Sequence, residues 1–125
     1  MSLEDDVNKL KADIKSIDEC INCLEIVKSG NHTWCHENFE YVLNCYLETR
    51  NVLKVYGVEI NSLEYGGLNE IEILVKCLEN AQDLISTQKF LSGKLGILSA
   101  ELRVQTVLSK QLEILDEDTP FLGNV

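Results

Sequence analysis

The sequence predicts an all-α protein, and three observations carry the prediction. Two stretches of equal length place apolar residues in alternating steps of four and three, the spacing of a helix packed along another helix. The composition is helical in kind: 45% of residues are apolar, proline occurs once, and Leu, Ile, Glu and Lys fill the periodic segments. Helix start and stop signals fall where the periodicity begins and ends. The expected architecture is an antiparallel helical hairpin with coiled-coil-like seams inside a four-helix bundle, assembled as a dimer.

The first stretch carries Leu3, Val7, Leu10, Ile14, Ile17, Ile21 and Leu24, with Asp, Lys, Asn and Glu on the other face. Acidic Glu4, Asp5 and Asp6 suit the positive end of a helix dipole, and Lys28 followed by Ser29-Gly30 is a fitting stop. A helix from about Ser2 or Leu3 to Lys28 follows. Asn31 or Thr33 can cap the next one. Its seam runs Cys35, Phe39, Val42, Tyr46, Thr49, Leu53 and Tyr56, ended by Gly57. Because the connection is short, the two helices must be antiparallel neighbours. A simple hairpin sets Leu24 near Cys35 and Leu3 near Tyr56.

Periodicity lapses from Val58 to Leu68, so this region reads as loop, with a turn at Tyr65-Gly66-Gly67. Asn69 with Glu72 three residues on resembles a capping box, and a third helix follows through Ile71, Leu74, Leu78, Ala81 and Ile85. The apolar spacing then continues through Leu91, Leu95, Leu98 and Leu102 to Leu108, Leu112 and Leu115. Gly93 and Gly96 each cost ~1 kcal/mol in a helix interior, and with the nearby serines they favour a break between 86 and 96, the fourth helix folding back on the third. Residues 1–115 form the single bundle domain in this reading, and residues 116–125, with three acidic residues and Pro120, form a flexible tail.

Charge narrows the function classes. Eleven basic against twenty-one acidic residues give a net charge of −10, which opposes phosphate backbones and anionic lipid. Direct nucleic-acid binding and membrane association are not expected. The chain passes from Met1 straight into charged, seam-bearing sequence, and it has no apolar run of signal-peptide or membrane-spanning length. A soluble cytoplasmic chain is the expectation, its five cysteines reduced. The Asn31-His32-Thr33 triplet, a glycosylation acceptor only in a secreted chain, reads as chance.

The most pointed chemical constellation is Cys20-x-x-Cys23 followed by His32-x-x-x-His36. Thiolate and imidazole ligands paired at i,i+3 and i,i+4 could hold zinc in a tetrahedron. The eight-residue linker is shorter than a zinc finger's, and in a simple hairpin His36 falls on the flank opposite the cysteines. No cofactor is therefore the first expectation, with zinc on Cys20, Cys23, His32 and His36 the alternative. A nucleophilic cysteine beside a histidine, Cys35-His36 or Cys23-His32, is disfavoured because adjacent helical residues point about 100° apart. Carboxylate pairs such as Glu37 with Glu40, or Glu70 with Glu72, read as a solvated face. Gly66-Gly67 lacks the Lys-Ser/Thr of a phosphate loop. Trp34, Tyr41, Tyr65 and Phe121 lie off the seams, and Trp34 reads as a cap over the bundle end.

The expected function is therefore that of a non-enzymatic helical protein–protein interaction module, an adaptor or regulatory subunit that self-associates. Apolar residues outside the main stripe are most numerous on the last helix, which places a two-fold homodimer interface around Val104, Val107 and Leu108. The alternatives are the zinc module and an acidic inhibitor or nucleic-acid mimic that occupies a basic protein surface.

Overall fold

The computed structural model describes residues 2–60 and 66–117, with the side chains of 115–117 excepted. Five α-helices follow in order: α1 Leu3–Lys28, α2 His32–Glu37, α3 Phe39–Val55, α4 Glu70–Cys77 and α5 Ala81–Glu117, with a 3-10 turn at Leu78–Asn80 between the last two. No strand occurs among the described residues, so the all-α class holds. Four of these helices, α1, α3, α4 and α5, pack against one another.

Helix α1 has the predicted ends. Ser2 Oγ accepts from the Asp5 amide at 3.1 Å, satisfying one of the orphan donors of the first turn. At the other end Ser29 Oγ donates to the Ile26 carbonyl, and Gly30 takes a φ of 82° that a side chain would resist. Its seam is buried at Val7, Leu10, Ile14, Ile17 and Leu24, while Cys20, Cys23 and Val27 widen the apolar stripe. The extra width has a structural use. Helix α1 is the central element, packed against α3 on one side and α5 on another.

The second predicted helix divides at Asn38. Asn31 Oδ1 accepts from the Trp34 amide and starts α2 at His32. Asn38 has left the helical region, at φ −111° and ψ 15°, and both its backbone amide and its side-chain amide donate to the Trp34 carbonyl. A side chain that competes for a helix carbonyl bends the ladder there. The seam itself is correct, with Cys35, Val42, Tyr46, Thr49 and Leu53 all buried. The register is not the simple one. Thr49 Oγ1 donates to the Ser16 carbonyl at 3.2 Å, and the Tyr56 hydroxyl donates to Asp13 Oδ2, with the Lys9 ammonium 5.6 Å from the Tyr56 ring. Tyr56 thus lies beside Asp13 rather than Leu3, because residues 29–38 form a turn and a separate short helix instead of extending α3.

Val58-Glu59-Ile60 is loop as expected, with Ile60 buried in the core, and Gly66 and Gly67 form a turn. The expected turn's first residue, Tyr65, lies outside the described residues. Asn69 caps α4, its Oδ1 accepting from the Glu72 amide at 2.9 Å. The break expected between 86 and 96, with the fourth helix folding back on the third, does not occur; the helical run is instead interrupted at the 3-10 turn Leu78–Asn80, flanked by αR backbone at Cys77 and Ala81, where Asn80 Nδ2 donates to the buried Tyr46 hydroxyl at 2.9 Å. From Ala81 the helix is unbroken for 37 residues, through Gly93 and Gly96. Summed propensity over a long periodic segment outweighs two glycines when one face is anchored. That anchored face is Leu84, Thr87 and Leu91, with Leu95, Leu98 and Leu102 half-buried. Helix α5 runs antiparallel to α1: Ala81 and Ile85 lie by Leu24 and Lys28, and Leu98 lies by Leu10. Asp116 and Glu117 end α5 rather than opening the tail, and the expected flexibility of 118–125, with Phe121, lies outside the described residues. Among the described residues no helix is long and apolar enough to cross a membrane.

Candidate interaction surface on the last helix

The end of α5 outruns its support. Helix α1 begins at Leu3, Leu10 lies by Leu98, and Leu102 is the last α5 residue with partial cover. From Arg103 to Ile114 every residue is exposed. At 1.5 Å per residue this is a projection of about 18 Å. Isolated helices of that length are marginal in water, so one bearing Val104, Val107, Leu108, Leu112 and Ile114, each more than half exposed, lacks the tertiary packing that ordinarily stabilises a helix.

The apolar surface continues back over the bundle. Phe90 is 68% exposed and Ile97 64%, both on the side of α5 turned away from α1. Phe90, Ile97, Val104, Val107 and Ile114 fall on one stripe whose remaining positions at three-and-four spacing are Gly93, Ala100 and Gln111. At about 100° per residue this stripe stands roughly opposite Leu84, Leu91 and Leu95. Helix α5 therefore carries two seams, one buried on α1 and one open along its full length. Of the residues that the sequence singles out, Val104 and Val107 lie on this stripe and Leu108 lies beside it. Phe90, Ile97, Ile114 and the continuity of the stripe escape that pattern, because Gly93, Ala100 and Gln111 do not register as apolar. Spacing alone, followed both ways from Val104, would have found the rest. Gly93 itself has no steric reason among the described residues, since a Cβ there would meet nothing within 4 Å.

The cysteine and histidine positions are dispersed. Cys20 and Cys23 are buried in the core, whereas His36 is at the surface, its side chain 76% exposed and its Nδ1 2.9 Å from Glu70 Oε2. That contact is an ion-pair approach without hydrogen-bond alignment, for Glu70 Oε2 has no aligned donor. His32 starts α2 and is exposed. Among the described residues no group of three or more His, Cys, Asp or Glu side chains is disposed to hold a metal ion. Cys20 instead has Cys23, Cys45 and Cys77 for neighbours, with the Thr49 hydroxyl beside it. Trp34 is half-buried against the core, in keeping with a cap over the end of the bundle. Lys9, Lys94, Asp6 and Tyr56 surround an open cleft of ≈ 360 Å³ between α1 and α5.

Burial pushes the thiols of Cys20 and Cys77 up to about 12 and that of Cys23 up to about 11. In the unfolded chain these thiols ionise near 8.5, while in the folded chain they keep their protons, so raising the pH favours the unfolded state. Their contribution to stability is fully present below about pH 8.5 and is lost progressively as pH rises towards 12. The urea midpoint is expected to fall between pH 8 and pH 10.5, and to fall less in a Cys20→Ala, Cys77→Ala variant. An equal fall in both proteins would remove the thiols as its cause.

Comparison with family models, with curated proteins and with solved structures finds no match for this chain.

Proposed function

We propose that the chain is a non-enzymatic helical interaction module, an adaptor or regulatory subunit in the cytoplasm, whose binding surface is the outer face of α5. One observation carries the reading: an unbroken helix presents Val104, Val107 and Leu108 more than half exposed on a segment that nothing among the described residues covers. Soluble monomers rarely leave contiguous apolar surface of this extent open, and a marginal helix that gains a partner gains its packing at the same time. The partner in this reading is a second copy, related by two-fold symmetry and coiled-coil-like in its packing. Five free thiols, four of them buried, suit a reducing compartment.

Sedimentation equilibrium at micromolar concentration tests the proposal. The expected mass is twice the 14.1 kDa of one chain. Val104→Glu with Val107→Glu is expected to return it to a single chain while far-UV circular dichroism still shows the α1–α3 core folded. A wild-type monomer, or a dimer that survives both substitutions, would overturn the assignment.

A further inference from the structure

We infer that two copies pair antiparallel through the whole open seam of α5, so that the projecting end of each helix lies on the outer face of the supported half of the other. The inference rests on the reading of α5 as a self-association surface and adds its orientation and layers.

The seam has two halves of matched length. Leu102, the last α5 residue with cover from the bundle, sits midway between Phe90 and Ile114. An antiparallel pair with its two-fold axis at that point lays each unsupported half against a half backed by α1. Parallel pairing would instead leave both projecting ends as a bare two-stranded extension.

Side-chain volumes favour the same arrangement. With the axis near Leu102, Phe90 faces the partner's Ile114 and Ile97 faces the partner's Val107. Between these layers Gly93 faces the partner's Gln111, and Ala100 faces the partner's Val104. Each small residue meets a larger one, as dense packing across facing positions requires. In a parallel, in-register pair Gly93 would face Gly93 and Ala100 would face Ala100 beside a Phe90 pair, which alternates gaps with crowding. The arrangement also gives Gly93 a purpose, since the missing Cβ leaves room for the Gln111 side chain of the other copy. Rim charges do not separate the orientations. Glu101 approaches its copy in one and Lys89 approaches Lys94 in the other, and exposed like-charged pairs cost little.

The area is sufficient. A seam of 25 residues is about 36 Å long, and half the lateral surface of a helix about 11 Å wide over that length is on the order of 600 Å² per copy. The total, about 1,200 Å², lies at the lower edge of stable specific interfaces.

Oxidative cross-linking with copper phenanthroline reads the orientation, with the wild-type chain as the control for its own cysteines. Ile97→Cys and Val107→Cys are made singly, at exposed positions that leave the core untouched. The expected result is little cross-linking of either variant alone and at least tenfold more in a mixture of the two. Self-cross-linking of each variant alone, with no gain on mixing, would overturn the antiparallel pair and leave self-association standing. A wild-type chain that sediments as 14.1 kDa would overturn both. Dimers that cross-link in none of these samples would place the interface off this seam.

Discussion

Ile17→Ala is expected to destabilise the chain by ~2–5 kcal/mol, with Lys15→Ala near neutral. Ile17 is fully buried midway along α1 and belongs to the cluster that joins α1 to α3, α4 and α5. Removing three carbons there leaves a cavity that three neighbouring helices would have to move together to fill, so relaxation recovers little of the loss. Lys15 points to solvent two residues away and makes no such contact. Urea denaturation of the three proteins measures both effects. Equal midpoints for the two variants would refute the seam on which the fold is built.

An effect of similar size is expected at Tyr46. This ring is fully buried in α3, and its hydroxyl accepts from Asn80 in the 3-10 turn that joins α4 to α5. Tyr46→Ala should cost ~3–5 kcal/mol as a large aromatic truncation. Tyr46→Phe separates packing from hydrogen bonding: it keeps the ring and leaves the Asn80 amide without its partner, at a cost of about 1–3 kcal/mol. The same denaturation experiment decides between the two contributions. A Phe variant as unstable as the Ala variant would mean that the turn at Leu78–Asn80, rather than the ring, is what Tyr46 holds.

Much of this architecture was legible because burial of an apolar stripe leaves a direct periodic trace in a helix. Both seams, the Asn31 and Asn69 caps and the stop at Gly30 were all readable at that level. What escaped depends on competition between local and long-range terms. Asn38 breaks its helix because a side-chain amide reaches the Trp34 carbonyl, and the resulting shift sets Tyr56 beside Asp13. Nothing in the spacing of either seam records that shift. Gly93 and Gly96 argued for a break in α5, yet contact with α1 along Leu84, Leu91 and Leu98 holds the helix through both. For the candidate site, Val104 and Val107 of the open stripe were visible and its small members were not. A glycine or glutamine signals a seam position only when the register on either side is already known.

The unequal support along α5 also divides its backbone into two regimes of local stability. Amides up to about Leu102 belong to a helix clamped by the core, so they open only with much of the fold, whereas those beyond it can fray one turn at a time. Any surface that covers the projecting end supplies the missing clamp, and helix formation there becomes coupled to binding. Where that surface is a second copy, as proposed, the average helicity of the chain rises with its concentration, and part of the association free energy is spent on ordering the last three turns.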